Sequence, residues 1–162
     1  MTSYKIIYNA FLAKIKEDEW GNEELNYDAI LADWEALLEA AIPWFKLPRI
    51  SLSRIPTDFS VSPAIEGYFI EDLGNTEIQI IATLMKWVWL NRTISTWENV
   101  KIMYDERDFS QGNLLNNFIK LLEKTEDECN RLQKLYARSI EGADGRRRPY
   151  NFSKLAGKNN GI

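Results

Sequence analysis

Residues 76–91 read TEIQIIATLMKWVWLN, and this stretch decides the fold. Ile78, Ile80, Ile81, Ala82, Leu84, Met85, Trp87, Val88, Trp89 and Leu90 fall all round a helical axis, leaving a narrow polar stripe through Gln79, Thr83 and Lys86. A helix apolar on nearly every side sits at the centre of a bundle or between subunits. The apolar run from Ile78 to Leu90 is about 13 residues long, short of the roughly 20 that a membrane span needs. Thr76 and Gln79 stand at capping-box spacing, which predicts a helix start at Asn75 or Thr76. The helix is expected to continue or kink through Arg92 and Trp97 towards Met103, before a polar loop from Tyr104 to Gln111.

Downstream, Leu115, Phe118, Leu122, Thr125, Cys129, Leu132 and Tyr136 alternate spacings of three and four. That pattern predicts a long helix from about Gly112 to Ser139 with a continuous apolar seam, weakest at Thr125 and Cys129. The seam requires a facing helix, either the central one within a bundle or a second copy in a coiled coil. Upstream, Tyr4, Ile7, Tyr8, Phe11, Leu12 and Ile15 mark a first helix over about Ser3 to Lys16, followed by an acidic turn from Glu17 to Asn22 that closes at Gly21. Tyr27, Ile30, Leu31, Trp34, Leu37, Leu38 and Ala41 mark a second helix that Pro43 stops.

Between the second and third helices, residues 43–73 hold Pro43, Pro48, Pro56 and Pro63 and break the helical pattern. Ile50 and Leu52 alternate with polar neighbours, and Gly67 to Ile70 is a second short β-prone run, which predicts a hairpin or a pair of extended arms. Such a segment either projects as an interaction arm or lies over its own core. The fold class expected is mainly α: a helical bundle over residues 1–139 with a long central helix, a long C-terminal helix, the proline-rich arm at 43–73, and an extended basic tail at 140–162.

The 162 residues suffice for one domain with a substantial core. Charge is unevenly placed along them. From residue 139 onward there are five basic and two acidic residues, net +3, so the remainder carries 15 basic against 22 acidic, net −7. The tail, GADGRRRPYNFSKLAGKNNGI, has too few clustered apolar residues to build a core of its own. It is therefore expected to be held by another chain, with Arg146, Arg147, Arg148, Tyr150 and Phe152 as a clamp on an acidic neighbour. Basic groups beside aromatic rings also suit single-stranded nucleic acid, but the acidic body opposes that use.

The chain contains no histidine and one cysteine, Cys129. This removes imidazole acid–base catalysis, Ser-His and Cys-His pairs, internal disulfides and thiolate or imidazole metal sites. The opening residues show no apolar block followed by a small-residue cleavage site, so the expected setting is reducing and without a leader. Neither a Walker A sequence nor GxGxxG is present. The carboxylates at Glu17, Asp18, Glu19 and at Asp105, Glu106, Asp108 lack calcium-loop spacing and read as solvated helix ends. The tryptophans read as core and interface packing rather than a ligand pocket, and the Asn91-Arg92-Thr93 sequon falls inside a predicted helix. No enzymatic activity, cofactor or metal is expected.

One family combines these features. Two N-terminal helices precede Ile42-Pro43-Trp44-Phe45 and Leu47-Pro48-Arg49; Glu77 to Met85 then runs on to Trp89-Leu90-Asn91-Arg92, followed by Tyr104, Asp108-Phe109 and the long last helix. In this order, over about residues 1–138, the chain resembles the head–tail connector or adaptor proteins of tailed-bacteriophage necks. The resemblance implies a structural virion protein, made in the host cytoplasm, that forms a ring, commonly of twelve copies, on the portal protein. It implies contacts with other neck or tail proteins, passage of packaged DNA through the channel without sequence-specific contact, and no membrane. Arm contacts would fall on Arg49, Ile50, Leu52 and Phe59. The alternative is a soluble helical interaction or regulatory module that dimerises through the seam of its C-terminal helix.

Overall fold

A computed structural model describes residues 1–15, 27–103, 109–141 and 147–149, with side chains over 1–15, 27–96 and 115–139. It is mainly helical with a small three-stranded sheet. In chain order the elements are β1 (Thr2–Ser3), α1 (Tyr4–Leu12), α2 (Tyr27–Ala41), β2 (Arg54–Ile55), β3 (Tyr68–Phe69), α3 (Asn75–Met103), α4 (Phe109–Arg138), β4 (Ser139–Glu141) and β5 (Arg147–Pro149). The expected acidic turn at Glu17 to Asn22, Trp20, and the Asp105, Glu106 and Asp108 cluster lie outside the described residues.

The helix α3 is central, as its all-round apolar surface predicts. Its 29 residues span about 43 Å at 1.5 Å per residue, and α1, α2 and α4 all pack on it. Ile80, Ile81, Ala82, Leu84, Met85 and Leu90 are buried from several sides. Thr83, expected on a polar stripe, is buried as well, because its hydroxyl donates to the Gln79 carbonyl at 2.7 Å and so enters the core satisfied. The predicted capping box at Thr76 is corrected: the Ile78 N–H already bonds the Gly74 carbonyl at 3.1 Å, which places Thr76 inside the first turn.

The first helix starts where Ser3 accepts the Lys5 N–H with its side chain at 3.2 Å, an N-cap contact. It buries Tyr4, Ile7, Tyr8 and Phe11. It closes earlier than its apolar spacing suggests, because the Lys14 and Ile15 N–H groups turn to carbonyls three residues back and tighten the end. Pro43 ends α2 as predicted, within a single 3-10 turn over Ile42–Trp44. A bidentate contact from Arg92 to Asp33, at 2.5 and 2.9 Å, ties α3 to α2.

The proline-rich segment lies over its own body and does not project. Strands run β1-β3-β2, all antiparallel, with Thr2 opposite Phe69, Arg54 opposite Phe69 and Ile55 opposite Tyr68. The second strand is thus Arg54–Ile55 rather than the Ile50 and Leu52 alternation; Ser51 instead caps a turn by accepting the Ser53 N–H at 3.2 Å. Two contacts then clamp the segment to the helices, linked by a third within the segment. Glu35 of α2 accepts the Thr57 N–H at 3.0 Å, Thr57 Oγ1 accepts the Gly67 N–H at 3.1 Å, and the Gly67 carbonyl accepts the Tyr4 N–H at 3.0 Å. These buried bonds satisfy backbone groups that a loop over a core would otherwise strand.

The last helix α4 starts at Phe109, so Phe109 to Gln111 are helical rather than loop. Its seam faces α3. Directly after it, β4 and β5 pair antiparallel, Ser139 opposite Pro149 and Glu141 opposite Arg147. The first part of the tail therefore folds back on itself, a correction to a wholly extended tail; residues 150–162 lie outside the described residues. No described helix is long and apolar enough to cross a membrane.

Candidate interaction surface

At its C-terminal half, α4 is crossed by the short strap that leaves α2. Phe45 is buried and meets the Tyr136 ring edge-on at 5.3 Å. The Lys46 N–H donates to Gln133 Oε1 at 2.8 Å, and Lys46 Nζ donates to Asn130 Oδ1 at 3.3 Å. Arg49 closes the strap: its N–H donates to the Tyr136 hydroxyl at 3.1 Å, its guanidinium donates to the Ala137 carbonyl at 2.8 Å, and Cζ stands 5.4 Å from the Tyr136 ring centre. Pro43 and Pro48 bracket this path and fix its direction.

The strap does not fill the surface it crosses. A cleft of about 160 Å³ remains between Phe45, Leu47, Tyr136 and Ala137, rimmed by Lys46 and Lys134. A smaller one of about 70 Å³ lies on the other side of Lys46, against Trp44, Trp87 and Cys129. Trp44 is 50% exposed although it meets Trp87 edge-on at 4.9 Å, and Leu47 is 67% exposed. On α4, Leu135 is 51% exposed beside Arg131, Lys134 and Arg138. Arg131, Lys134 and Arg138 make no ion pair with a described residue. Exposed large apolar side chains set among cations without an ion pair to a described residue have the make-up of a protein-docking surface.

Other titratable groups are buried for packing. Cys129 lies in the α3–α4 seam, where burial, with Glu128 and Glu126 adding, pushes its thiol up to about 12. Burial likewise pushes Tyr4 up to about 12 and Tyr8 higher still. Among the described residues no group of three His, Cys, Asp or Glu side chains could hold a metal ion.

Of the arm residues predicted from sequence, Arg49 is engaged by α4, and Ile50 and Leu52 pack against the chain's own core. Arg49 nonetheless stays exposed, as does Phe59, which stands with Val61 and Ile65 on a turn held by Asp58 accepting from Ser60 at 2.9 Å and 2.6 Å. Within the seam, Thr125, Cys129 and Tyr136 are buried and Phe118, Leu122 and Leu132 pack against the core, while Leu115 is half-buried. This stretch packs inside the chain against α3, one of the two facing partners expected for it. Arg147 and Arg148 lie on β5 opposite Glu141 and Ile140, whereas Arg146, Tyr150 and Phe152 fall outside the described residues. The surface that sequence reasoning missed, Lys46, Arg131, Lys134, Leu135 and Arg138, carried a legible signal. Lys120, Lys124, Arg131, Lys134 and Arg138 repeat at helical spacing on the face opposite the seam. Compared with known proteins, the chain matches no protein family, no curated protein and no solved structure.

Proposed function

We propose that this chain is a structural assembly subunit, a head–tail connector of a tailed bacteriophage. It forms a ring on the portal, links capsid to tail, completes the DNA channel and performs no turnover. The observation that carries the reading is the pole at the end of α4, where Trp44, Leu47 and Leu135 stand exposed around a cleft whose neighbouring cations have no ion partner among the described residues. A protein surface buries such apolar anchors and answers such cations. The order of features along residues 1–138 supplies the kind of assembly, since it resembles neck adaptors. A body of net −7 disfavours duplex DNA as the ligand of this surface.

The test is to mix the purified chain with isolated portal rings and image the product. A layer of repeated subunits with the portal's rotational symmetry is expected. A chain that never joins portal, yet forms a dimer independent of concentration, would sink the connector reading.

A further inference from the structure

Every carboxylate on α2 is already engaged within the chain. Asp33 pairs with Arg92, Glu39 with Arg54, Glu35 accepts the Thr57 N–H, and Asp28 accepts from the Ala64 N–H at 3.5 Å. The opposite holds at the C-terminal end of α4. There Arg131, Lys134 and Arg138 are exposed and make no ion pair with a described residue, and Lys46 is bonded through Nζ to a neutral amide oxygen. Lys46 and Lys134 rim a cleft floored by Phe45, Leu47 and Tyr136, and Lys134 also lines the adjoining groove with Arg131, Leu135, Arg138 and a single carboxylate, Asp127. A cavity of about 150 Å³ takes up benzene, so a cleft of about 160 Å³ admits one aromatic ring.

We propose that this cleft and its basic rim receive a second copy of the chain through that copy's acidic stretch 17–24. The stretch reads EDEWGNEE, with five carboxylates, one indole and no cation. Trp20 supplies the ring for the cleft, and its flanking carboxylates answer Lys134, Arg131 and Arg138. Residues 150–162 are the competing candidate because they begin just after Pro149, opposite Ser139. They contain Lys154 and Lys158 and no acidic side chain, so the rim repels them. The contact is head-to-tail: the surface given and the surface received differ, and repetition of such a contact closes rings or extends filaments. This deepens the assembly reading above and rests on it.

The test uses the full chain, prepared in ordinary and heavy-isotope forms, mixed in equal amounts and treated with a zero-length carbodiimide. Cross-links joining Lys134 or Lys46 to Glu17, Asp18, Glu19, Glu23 or Glu24 are expected, in mixed-isotope pairs. Reversing two rim charges that do not themselves cross-link, R131E with R138E, should lower the yield about tenfold, in line with the cost of opposing charges at an interface. K120E with K124E, the same charge change elsewhere on α4, should leave it unaltered, and both variants are checked for wild-type circular dichroism. Cross-links only within one isotope form would mean that stretch 17–24 folds onto its own chain, and would overturn the proposal. So would their absence, or indifference to R131E with R138E. A portal ring that forms without these cross-links sinks the interface but keeps the connector reading; mixed-isotope cross-links without any portal ring do the reverse.

Discussion

Gly67 is the position where the clamp on the proline-rich segment can be tested most sharply. A Cβ built there would stand 2.5 Å from the Ile55 carbonyl oxygen, 2.6 Å from Tyr4 Cε2 and 2.9 Å from the Pro56 carbonyl carbon. Two of these neighbours are backbone atoms and the third belongs to a fully buried ring, so none can move aside cheaply. Gly67 cannot retreat either, since its N–H bonds Thr57 Oγ1 and its carbonyl accepts the Tyr4 N–H. Gly67→Ala therefore forces β2, β3 and α1 apart, at an overpacking cost of about 1–3 kcal/mol. Loosening the two hydrogen bonds adds about 0.5–1.5 kcal/mol each where they are lost. With roughly 2–4 °C per kcal/mol for a chain of this size, overpacking alone should lower Tm by about 2–12 °C, and by more where the hydrogen bonds are also lost. Calorimetry measures it, and urea unfolding should show a lower midpoint with an unchanged slope. A variant melting within about a degree of wild type would refute the close approach and with it the segment's placement over the body.

Three further outcomes follow from buried groups. Tyr136→Phe removes the acceptor of the Arg49 N–H and should cost about 1 kcal/mol by urea titration; the Arg49→Lys variant, which keeps that N–H, should cost less. Cys129, with its thiol raised to about 12 from an ordinary value of 9.0, should react with iodoacetamide at pH 8 roughly a thousandfold more slowly than in the urea-unfolded chain; fast labelling of the native chain would place it outside the seam. Tyr4, Tyr8 and Cys129 all hold their protons more tightly folded than unfolded. Their contribution is complete below about pH 9 and is lost as pH climbs towards 12, by up to about 1.4 kcal/mol per unit for each group that has ionised only in the unfolded chain. Urea midpoints at pH 8, 9.5 and 11 should fall progressively, and a flat series would contradict the burial of these groups.

Periodicity made the helices legible because each presents an apolar pattern that only one packing satisfies: α3 all round, α4 along one seam. Polarity misled where hydrogen bonding decides. Thr125 reads as a weak point in the seam, yet its hydroxyl donates to the Leu121 carbonyl at 2.7 Å and lets the residue sit buried. The sheet was half legible, since Gly67 to Ile70 was expected to be β-prone and contains β3, but its register depends on Glu35, Thr57 and Tyr4 from three distant parts of the chain. Two-residue strands have too little local signal to declare such partners. The β4–β5 ladder is not legible in the tail's basic, glycine-rich composition, because three-residue strands carry too little local signal. The candidate surface is hidden in the same way, because the cations of α4 lie within a body of net −7, whose sum conceals the redistribution of positive charge onto one face of that helix.

That redistribution changes what the last helix is for. Its inner face, through Thr125, Cys129 and Tyr136, is committed to α3 and to the strap, so substitutions there act on stability. Its outer face, through Arg131, Lys134, Leu135 and Arg138, contributes nothing to the core, and exposed substitutions of that kind stay within about 0.5 kcal/mol. On the proposed assembly reading, folding and association are therefore separable on one helix. Loss of assembly with an unchanged Tm assigns a residue to the outer face, whereas loss of both assigns it to the seam. Arg49 joins the two faces, because it holds the strap to Tyr136 and Ala137 and thereby shapes the cleft. Arg49→Ala should then weaken assembly and lower the melting temperature together, by releasing Leu47 from the cleft wall rather than by removing a charge from the rim.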